Sequence, residues 1–286
     1  MNDGQLKESS IILTCQNDDS VLIKPNSFQR TKDWHEKRRG SWTASQMKAL
    51  MSCGQSGARI SWNEKAKIYQ FGKTALKYIY ENAMERKTGR YIDLGEGTQK
   101  MKYGTKIEPI IFKRVKKKLK EFGKLKEVGY KEYPNFKTAG VSSDGIIYKG
   151  ENPVATLEIK ACTNWATHYD RTFELMDEKG IDFWQTQSQM LAWAVDTCYY
   201  AVAEPPHNIN DFLYYKGDIM DLSDNFIQEC KVTIQKIKAS PIHQSALMER
   251  IMIGDVTINK WLKNGGDIKE ILYATIEDFK HQEKSI

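Results

Sequence analysis

From Thr105 to Phe122 apolar residues recur with the period of an α-helix. Ile107, Ile111, Val115, Leu119 and Phe122 form one stripe, with Lys113, Lys116, Lys117 and Lys120 opposite. A helix of this kind must bury one face against another layer of structure, so the chain is built around a core with a helix laid on it. One residue breaks the stripe. Glu108 lies four residues before Phe112 and seven before Val115, inside the apolar face, where a carboxylate is costly unless paired or bound to a metal. The alternative is a position in the first turn, where the helix dipole favours an acid; Pro109, directly after it, agrees with that.

Further along, the period shortens to two. Glu127–Tyr133 alternates loosely, and Lys137–Tyr148 reads as two short strands around Asp144, in Ser142-Ser143-Asp144-Gly145. Val154–Lys160 is a further strand, with Glu158 and Lys160 on one face and Leu157 and Ile159 on the other. Taken singly, Asp-Gly is commonly a turn and Glu-x-Lys an exposed strand. Residues 181–195 read as a helix with Gln185 and Gln189 on one face and Gln187 offset, followed by a strand at Thr197–Ala203. Upstream, Thr43 or Ser45 is expected to cap a helix carrying Met47, Leu50 and Met51, and residues 64–84 read as another helix. Beyond Ser223 the pattern is helical: Phe226–Ile237, His243–Met252 and Trp261 onward. The expected fold is α/β (α+β): a central mixed β-sheet flanked by helices. Residues 1–30 are an extension, 31–206 the core, and 207–286 a mostly helical region packed on it.

Composition narrows the chemistry. The net charge is +6, and Lys113–Lys120 concentrates six basic residues in eight positions without an acid. Such a block is either an electrostatic footprint for phosphates or a solvated helix face. Five scattered cysteines, without a CxxC pair, argue against a zinc ribbon or an iron–sulfur cluster and fit free thiols in a reducing cytoplasm. The histidines show no metal-binding spacing. No signal peptide and no membrane-spanning apolar run is evident, so no membrane partner is expected.

Glu108, Asp144, Glu158 and Lys160 thus read as three acids and a lysine brought to one end of a sheet. Carboxylate oxygens suit a hard cation such as Mg²⁺, at roughly 2.1 Å. Paired ions roughly 3.5–4 Å apart can stabilise the attacking and leaving oxygens of a phosphodiester. Asp144 and Glu158 would be the core ligands, with the Ile159 carbonyl beside them and Glu108 through water or at a second ion. Lys160 would hold water or the scissile phosphate, in its charged form because acids surround it. Trp165 and Tyr169, just after the strand, read as packing residues, with stacking on a DNA end as the alternative.

The ordered set resembles the lambda-exonuclease/YqaJ-type branch of the PD-(D/E)xK nucleases, over roughly residues 30–205. The matching pieces are Arg38-Arg39-Gly40-Ser41-Trp42-Thr43-Ala44-Ser45, Gly104-Thr105-Lys106-Ile107-Glu108, Ser142-Ser143-Asp144-Gly145, Glu158-Ile159-Lys160 and Gln187-Ser188-Gln189. Ser143 stands where that family usually has proline. The resemblance implies a restriction-endonuclease-like core and a Mg²⁺-dependent exonuclease in which Mn²⁺ can substitute. It adds Gln189 and Gln187 to the catalytic set and assigns substrate binding to Arg38, Ser45 and Thr43, with a strand-end phosphate at Arg38 and Ser45. It further implies 5′→3′ digestion of double-stranded DNA ends to leave 3′ overhangs, a ring-shaped homo-oligomer (a trimer), a single-strand annealing partner, and phage-style recombination in a bacterial or phage-infected cytoplasm. The alternatives are an endonuclease or a CRISPR-adaptation-like exonuclease of the same fold, and a non-catalytic DNA-binding or inhibitory protein.

Overall fold

The structure, a computed structural model, describes residues 11–13, 29, 31–54, 68–90, 99–134, 136–173, 180, 182–206, 212–215 and 218–284. Its elements run β1 (Ile11–Leu13), α1 (Lys32–Arg38), β2 (Trp42–Thr43), a 3-10 turn at Ala44–Gln46, α2 (Met47–Leu50), α3 (Lys73–Thr88), α4 (Gln99–Lys118), a further 3-10 turn at Lys120–Phe122, β3 (Lys124–Lys126), β4 (Tyr130–Tyr133), β5 (Phe136–Ser142) and β6 (Gly145–Lys149). They continue with β7 (Asn152–Ala161), α5 (Trp165–Phe173), α6 (Phe183–Trp193), β8 (Thr197–Ala203), β9 (Phe212–Tyr215), β10 (Asp218–Leu222), α7 (Asp224–Glu229), β11 (Val232–Lys238), α8 (Pro241–Asn264) and α9 (Ile268–Lys284).

A mixed six-stranded sheet has the order β1-β11-β8-β7-β6-β3, and a smaller mixed sheet the order β2-β5-β4. In the large sheet β7 and β8 run parallel, and the other pairs are antiparallel. A parallel pair needs a long crossover. Here the crossover carries α5 and α6. The two-residue alternation of strands then sorts the side chains. Leu157, Ile159, Tyr199, Ala201 and Ala203 pack with Tyr103, Ile107, Ile111, Val115 and Leu119 of α4 and its C-terminal end. On the opposite face Cys198, Tyr200 and Val202 meet Met190 of α6. The central mixed sheet with flanking helices is as expected.

Several local expectations change. The apolar stripe of α4 is buried, but Phe122 lies beyond the helix in the 3-10 turn and is 36 % exposed. The helix starts at Gln99, so Glu108 and Pro109 sit mid-helix rather than in the first turn. Pro109 forfeits the N–H that would reach the Thr105 carbonyl; burial of Tyr103, Ile107 and Ile111 outweighs that loss, as tertiary packing usually does. Neither Thr43 nor Ser45 caps a helix: Thr43 belongs to β2, and the 3-10 turn after it has no side-chain cap. The helix expected over 64–84 is α3, from Lys73; residues 64–67 lie outside the described residues.

The largest change is at the C-terminus. Phe226–Ile237, expected as one helix, divides into α7 and β11. The β-branched Val232, Thr233, Ile234 and Ile237 favour a strand, and β11 lies between β8 and β1. A boundary at 206/207 therefore cuts through the sheet, and the later residues supply one of its inner strands. Ile11–Leu13, expected in an N-terminal extension, pairs with β11; apart from these and Gln29, residues 1–30 lie outside the described residues. Helix α8 is tied in by Asp255, whose Oδ1 accepts from Trp42 Nε1 at 2.7 Å and Arg86 Nη2 at 2.8 Å, while Oδ2 takes the Thr138 hydroxyl. Arg250, fully buried, donates to the carbonyls of Leu50, Ile68 and Gln70.

Removing a partner from such a cluster strands the rest. Asp255→Ala is expected to lower the unfolding free energy by about 3–5 kcal/mol, read by urea denaturation as one cooperative transition. Two separate transitions, with only the later one shifted, would show an independent C-terminal unit instead.

Candidate active site

The middle of β7 carries a carboxylate that the sheet cannot solvate. Glu158 is 3 % exposed. Its Oε1 accepts from Lys160 Nζ at 2.7 Å and Gln185 Nε2 at 2.6 Å, and its Oε2 from Gln189 Nε2 at 2.5 Å. Strand geometry puts Glu158 and Lys160 on the same side, and helix geometry puts Gln185 and Gln189 one turn apart facing them. Gln185 bridges the pair, because its Oε1 also accepts from Lys160 Nζ at 2.8 Å. Burial would pull the Lys160 ammonium below its ordinary value; Glu158 and then Asp182, at 3.5 Å, outweigh it and hold the value above. Lys160 is therefore a fixed positive charge.

Asp144 sits in the turn between β5 and β6. Its Oδ2 accepts the Ile159 N–H at 2.6 Å and its own N–H donates to the Leu157 carbonyl at 3.1 Å, so it is locked beside Glu158. Burial pushes its carboxyl well above the ordinary range, and the charges of Glu158 and Glu108 push it further. Glu108 acts from α4, on the opposite face of the sheet from α6. Gly145 allows that approach, since a Cβ there would stand 2.8 Å from Leu125 Cδ1 and 3.0 Å from Phe112 Cε2, one turn after Glu108. The Asp-Gly pair is thus less a turn signal than a close contact between sheet and helix. Asp144 thus lies beside Glu158 through the Ile159 backbone, and the charge of Glu108 reaches it from the other face of the sheet. Among the described residues, no three His, Cys, Asp or Glu side chains stand together in metal-ligating geometry.

Arg38 and Ser45 also come together, and Ser142 joins them. Arg38 Nη1 donates to Ser142 Oγ at 3.2 Å and Nη2 reaches Ser45 Oγ at 3.5 Å. Trp34 Nε1 donates to the same Ser142 Oγ at 2.9 Å, and the guanidinium lies 4.2 Å from the centre of the Trp34 ring. Ser142 is two residues before Asp144, so this partly exposed polar cluster adjoins that acid. Gly40 fixes the segment to α3: it has φ +60°, its N–H donates to Glu85 at 2.7 Å, and its carbonyl accepts from Arg86 Nε at 2.7 Å.

Two expected residues stand elsewhere. Thr43 is 6 % exposed, and its N–H donates to the Tyr78 hydroxyl at 3.0 Å, which makes it part of the core behind the pocket. Gln187 is turned away from Glu158. Its amide donates to the Lys238 carbonyl at 3.0 Å and accepts the Ser240 N–H at 2.8 Å, stitching α6 to the corner between β11 and α8. Trp165 and Tyr169, expected to pack, are 52 % and 55 % exposed on α5. The residue that takes the place of Gln187 is Gln185, which its four-residue spacing from Gln189 already put on the same face. Asp182 is a different matter: before a helix it reads as a cap, and only the fold brings it to Lys160.

The sequence matches the model of the YqaJ-like viral recombinase domain over residues 33–193. Among solved structures, the chain is similar to LHK-Exo in complex with dAMP, with 21 % identity, a TM-score of 0.51 and coverage of 89 % of this chain and 99 % of that one. It is likewise similar to the crystal structure of the alkaline exonuclease LHK-Exo from Laribacter hongkongensis, with 22 % identity, a TM-score of 0.50 and the same 89 % and 99 % coverage. A phage related exonuclease from Haemophilus somnus 129PT gives 16 % identity, a TM-score of 0.53 and coverage of 79 % and 96 %. No curated protein sequence matches the chain. The structural likenesses show the fold, while the family match takes in more than half of the 286 residues and every side chain of the site described above; the chain belongs to the YqaJ-like viral recombinase domain family.

Proposed function

We propose that this protein is a divalent-metal-dependent exonuclease acting on the ends of linear double-stranded DNA. Membership of the YqaJ-like family and the exonuclease fold support a nuclease acting on DNA. The observation that carries the reading is the β7 arrangement: Glu158 and Lys160 on one face, with Asp144 bonded to the N–H of the residue between them.

The donor set fits a hard cation. Glu108, Asp144 and Glu158 supply carboxylate oxygens, and two of them raise the pKa of the third, a repulsion that a bound cation relieves. Mg²⁺, or Mn²⁺ in its place, would be held by Asp144 and Glu158, with the Ile159 carbonyl and Glu108 completing the set. Such an ion supplies Lewis-acid polarisation of the phosphodiester and activation of water. The chain's own groups do the rest. Lys160, permanently charged, holds the scissile phosphate. Gln189 and Gln185 fix the Glu158 carboxylate. Arg38, with Ser45 and Ser142, offers a forked donor set for a terminal phosphate. Capture of a 5′-phosphate there gives 5′→3′ digestion and a 3′ overhang. Trp165 and Tyr169 present rings on which DNA bases can stack. The exposed lysines of α4 from Lys113 to Lys118 begin about 8 Å beyond Glu108 along the helix axis, where they meet the phosphates of the duplex. The reading extends to a ring-shaped homo-oligomer, a single-strand annealing partner and a role in phage-style recombination in the cytoplasm.

Two measurements test the site. Asp144→Asn keeps an acceptor for Ile159 but removes a charge whose pKa is raised in the folded state. The cost of that charge is absent below the ordinary carboxylate value of about 3.9, grows as pH rises through it, and levels off above the folded-state value. In EDTA the variant should therefore be more stable than wild type at neutral pH, by a few degrees in Tm, with the difference vanishing near about pH 4. Lower stability at neutral pH would remove the case for a repulsive acid cluster.

The second is nuclease activity on end-labelled linear duplex. With Mg²⁺ or Mn²⁺ the wild type should digest it, EDTA should stop the reaction, and Glu158→Ala or Lys160→Ala should slow it by about 100–1000-fold. A 5′-phosphate end should be preferred over a 5′-hydroxyl, and Arg38→Ala should abolish that preference. Closed circular DNA should be spared; its cleavage would make the protein an endonuclease.

A further inference from the structure

Lys160 has two acidic neighbours, and they differ in kind. Glu158, at 2.7 Å, is a proposed cation ligand and lends its charge to Lys160 only while it points that way. Asp182 is fixed. It immediately precedes α6, yet its side chain makes no capping bond to the helix. Its Oδ2 instead accepts from Arg171 Nε of α5 at 2.9 Å and from the Tyr200 hydroxyl of β8 at 2.6 Å, which leaves Oδ1 facing Lys160 Nζ at 3.5 Å. Asp182 is 8 % exposed and Tyr200 fully buried. Helix α5 and strand β8 thus hold one carboxylate against the lysine of β7.

Resting on the nuclease reading above, we infer that Asp182, clamped by Arg171 and Tyr200, is the positioning residue of Lys160. When the Glu158 carboxylate turns to a cation, Lys160 keeps a counter-charge and a fixed direction from Asp182, and Gln185 Oε1 is its second anchor. Without that clamp the ammonium follows Glu158 or swings toward the remaining acids, and the phosphate loses its donor. Buried partners that orient a reacting group in this way are typically worth about 10–100-fold in activity.

The test is a double-mutant cycle on end-labelled duplex DNA with Mg²⁺, in single turnover at saturating enzyme and in steady state. Asp182→Asn should lower kcat by about 10–100-fold while KM for DNA stays within about twofold, because binding at the Arg38 pocket is untouched. In a Lys160→Ala background the same change should cost little, since there is no ammonium left to position. A residue that only supports the fold would cost the same in both backgrounds, and that result overturns the clamp. So does a wild-type rate in Asp182→Asn. If Asp182→Asn does not fold by circular dichroism, Tyr200→Phe, which keeps the packing and removes one bond to Asp182, goes through the same cycle. Its loss, smaller than that expected for Asp182→Asn, should likewise vanish without Lys160, and an equal loss in both backgrounds overturns the proposal. Full activity of Lys160→Ala would overturn the site assignment itself, and the clamp with it; loss in Lys160→Ala beside a wild-type rate in folded Asp182→Asn would overturn the clamp alone.

Discussion

A carboxylate in the interior of a sheet has to be answered by positive charge and donors, or the strand that carries it is unstable. Glu158 is answered on every side, by Lys160 from its own strand and by two glutamines one turn apart on α6. That need dictates much of the surrounding architecture. Helix α6 must lie over β7 with Gln185 and Gln189 toward the strand, where a helix in this position would ordinarily present leucines. The parallel β7–β8 pair supplies the geometry, because its crossover is what carries α6 across the sheet.

The opposite face follows ordinary rules. Alternate residues of β7 and β8 meet the apolar stripe of α4 in a continuous hydrophobic layer. The two faces join at Asp144, where the sheet ends and charges from both sides act on a single half-buried carboxyl. A charge held in that position works against stability. The absent side chain at Gly145 matters for the same reason, since it is what lets α4 close on the sheet at that end.

What could be read from the sequence is what periodicity and pairing express locally. The apolar stripe of α4, the facing of Glu158 and Lys160, and the Thr197–Ala203 strand depend on spacing alone, and the structure contains each of them. Pro109 resembles a first-turn signal, while tertiary burial extends α4 back to Gln99. Strand β11 has a mixed periodicity, and what makes it a strand is its pairing with β8 and β1, which its own residues do not announce. Thr43 and Gln187 belong to motifs that point at the site, but Thr43 is buried with its N–H on Tyr78, and the Gln187 side chain ties α6 to the corner before α8. Asp182 reads locally as a helix cap and Ser142 only as a neighbour of Asp144; their contacts follow from where β8, α5 and α1 come to rest.

The hydrogen bonds of Gln187 to Lys238 and Ser240 have a bearing on synthesis. Helix α6, which holds Glu158 in place, is itself held by a segment translated some fifty residues later. A nascent chain that has only just extruded the motifs therefore has the acids but not the brace. The braced setting of Glu158 is therefore complete only after β11 and the beginning of α8 have left the ribosome, so the order in which the parts are made puts the acids in place before the contacts that hold them.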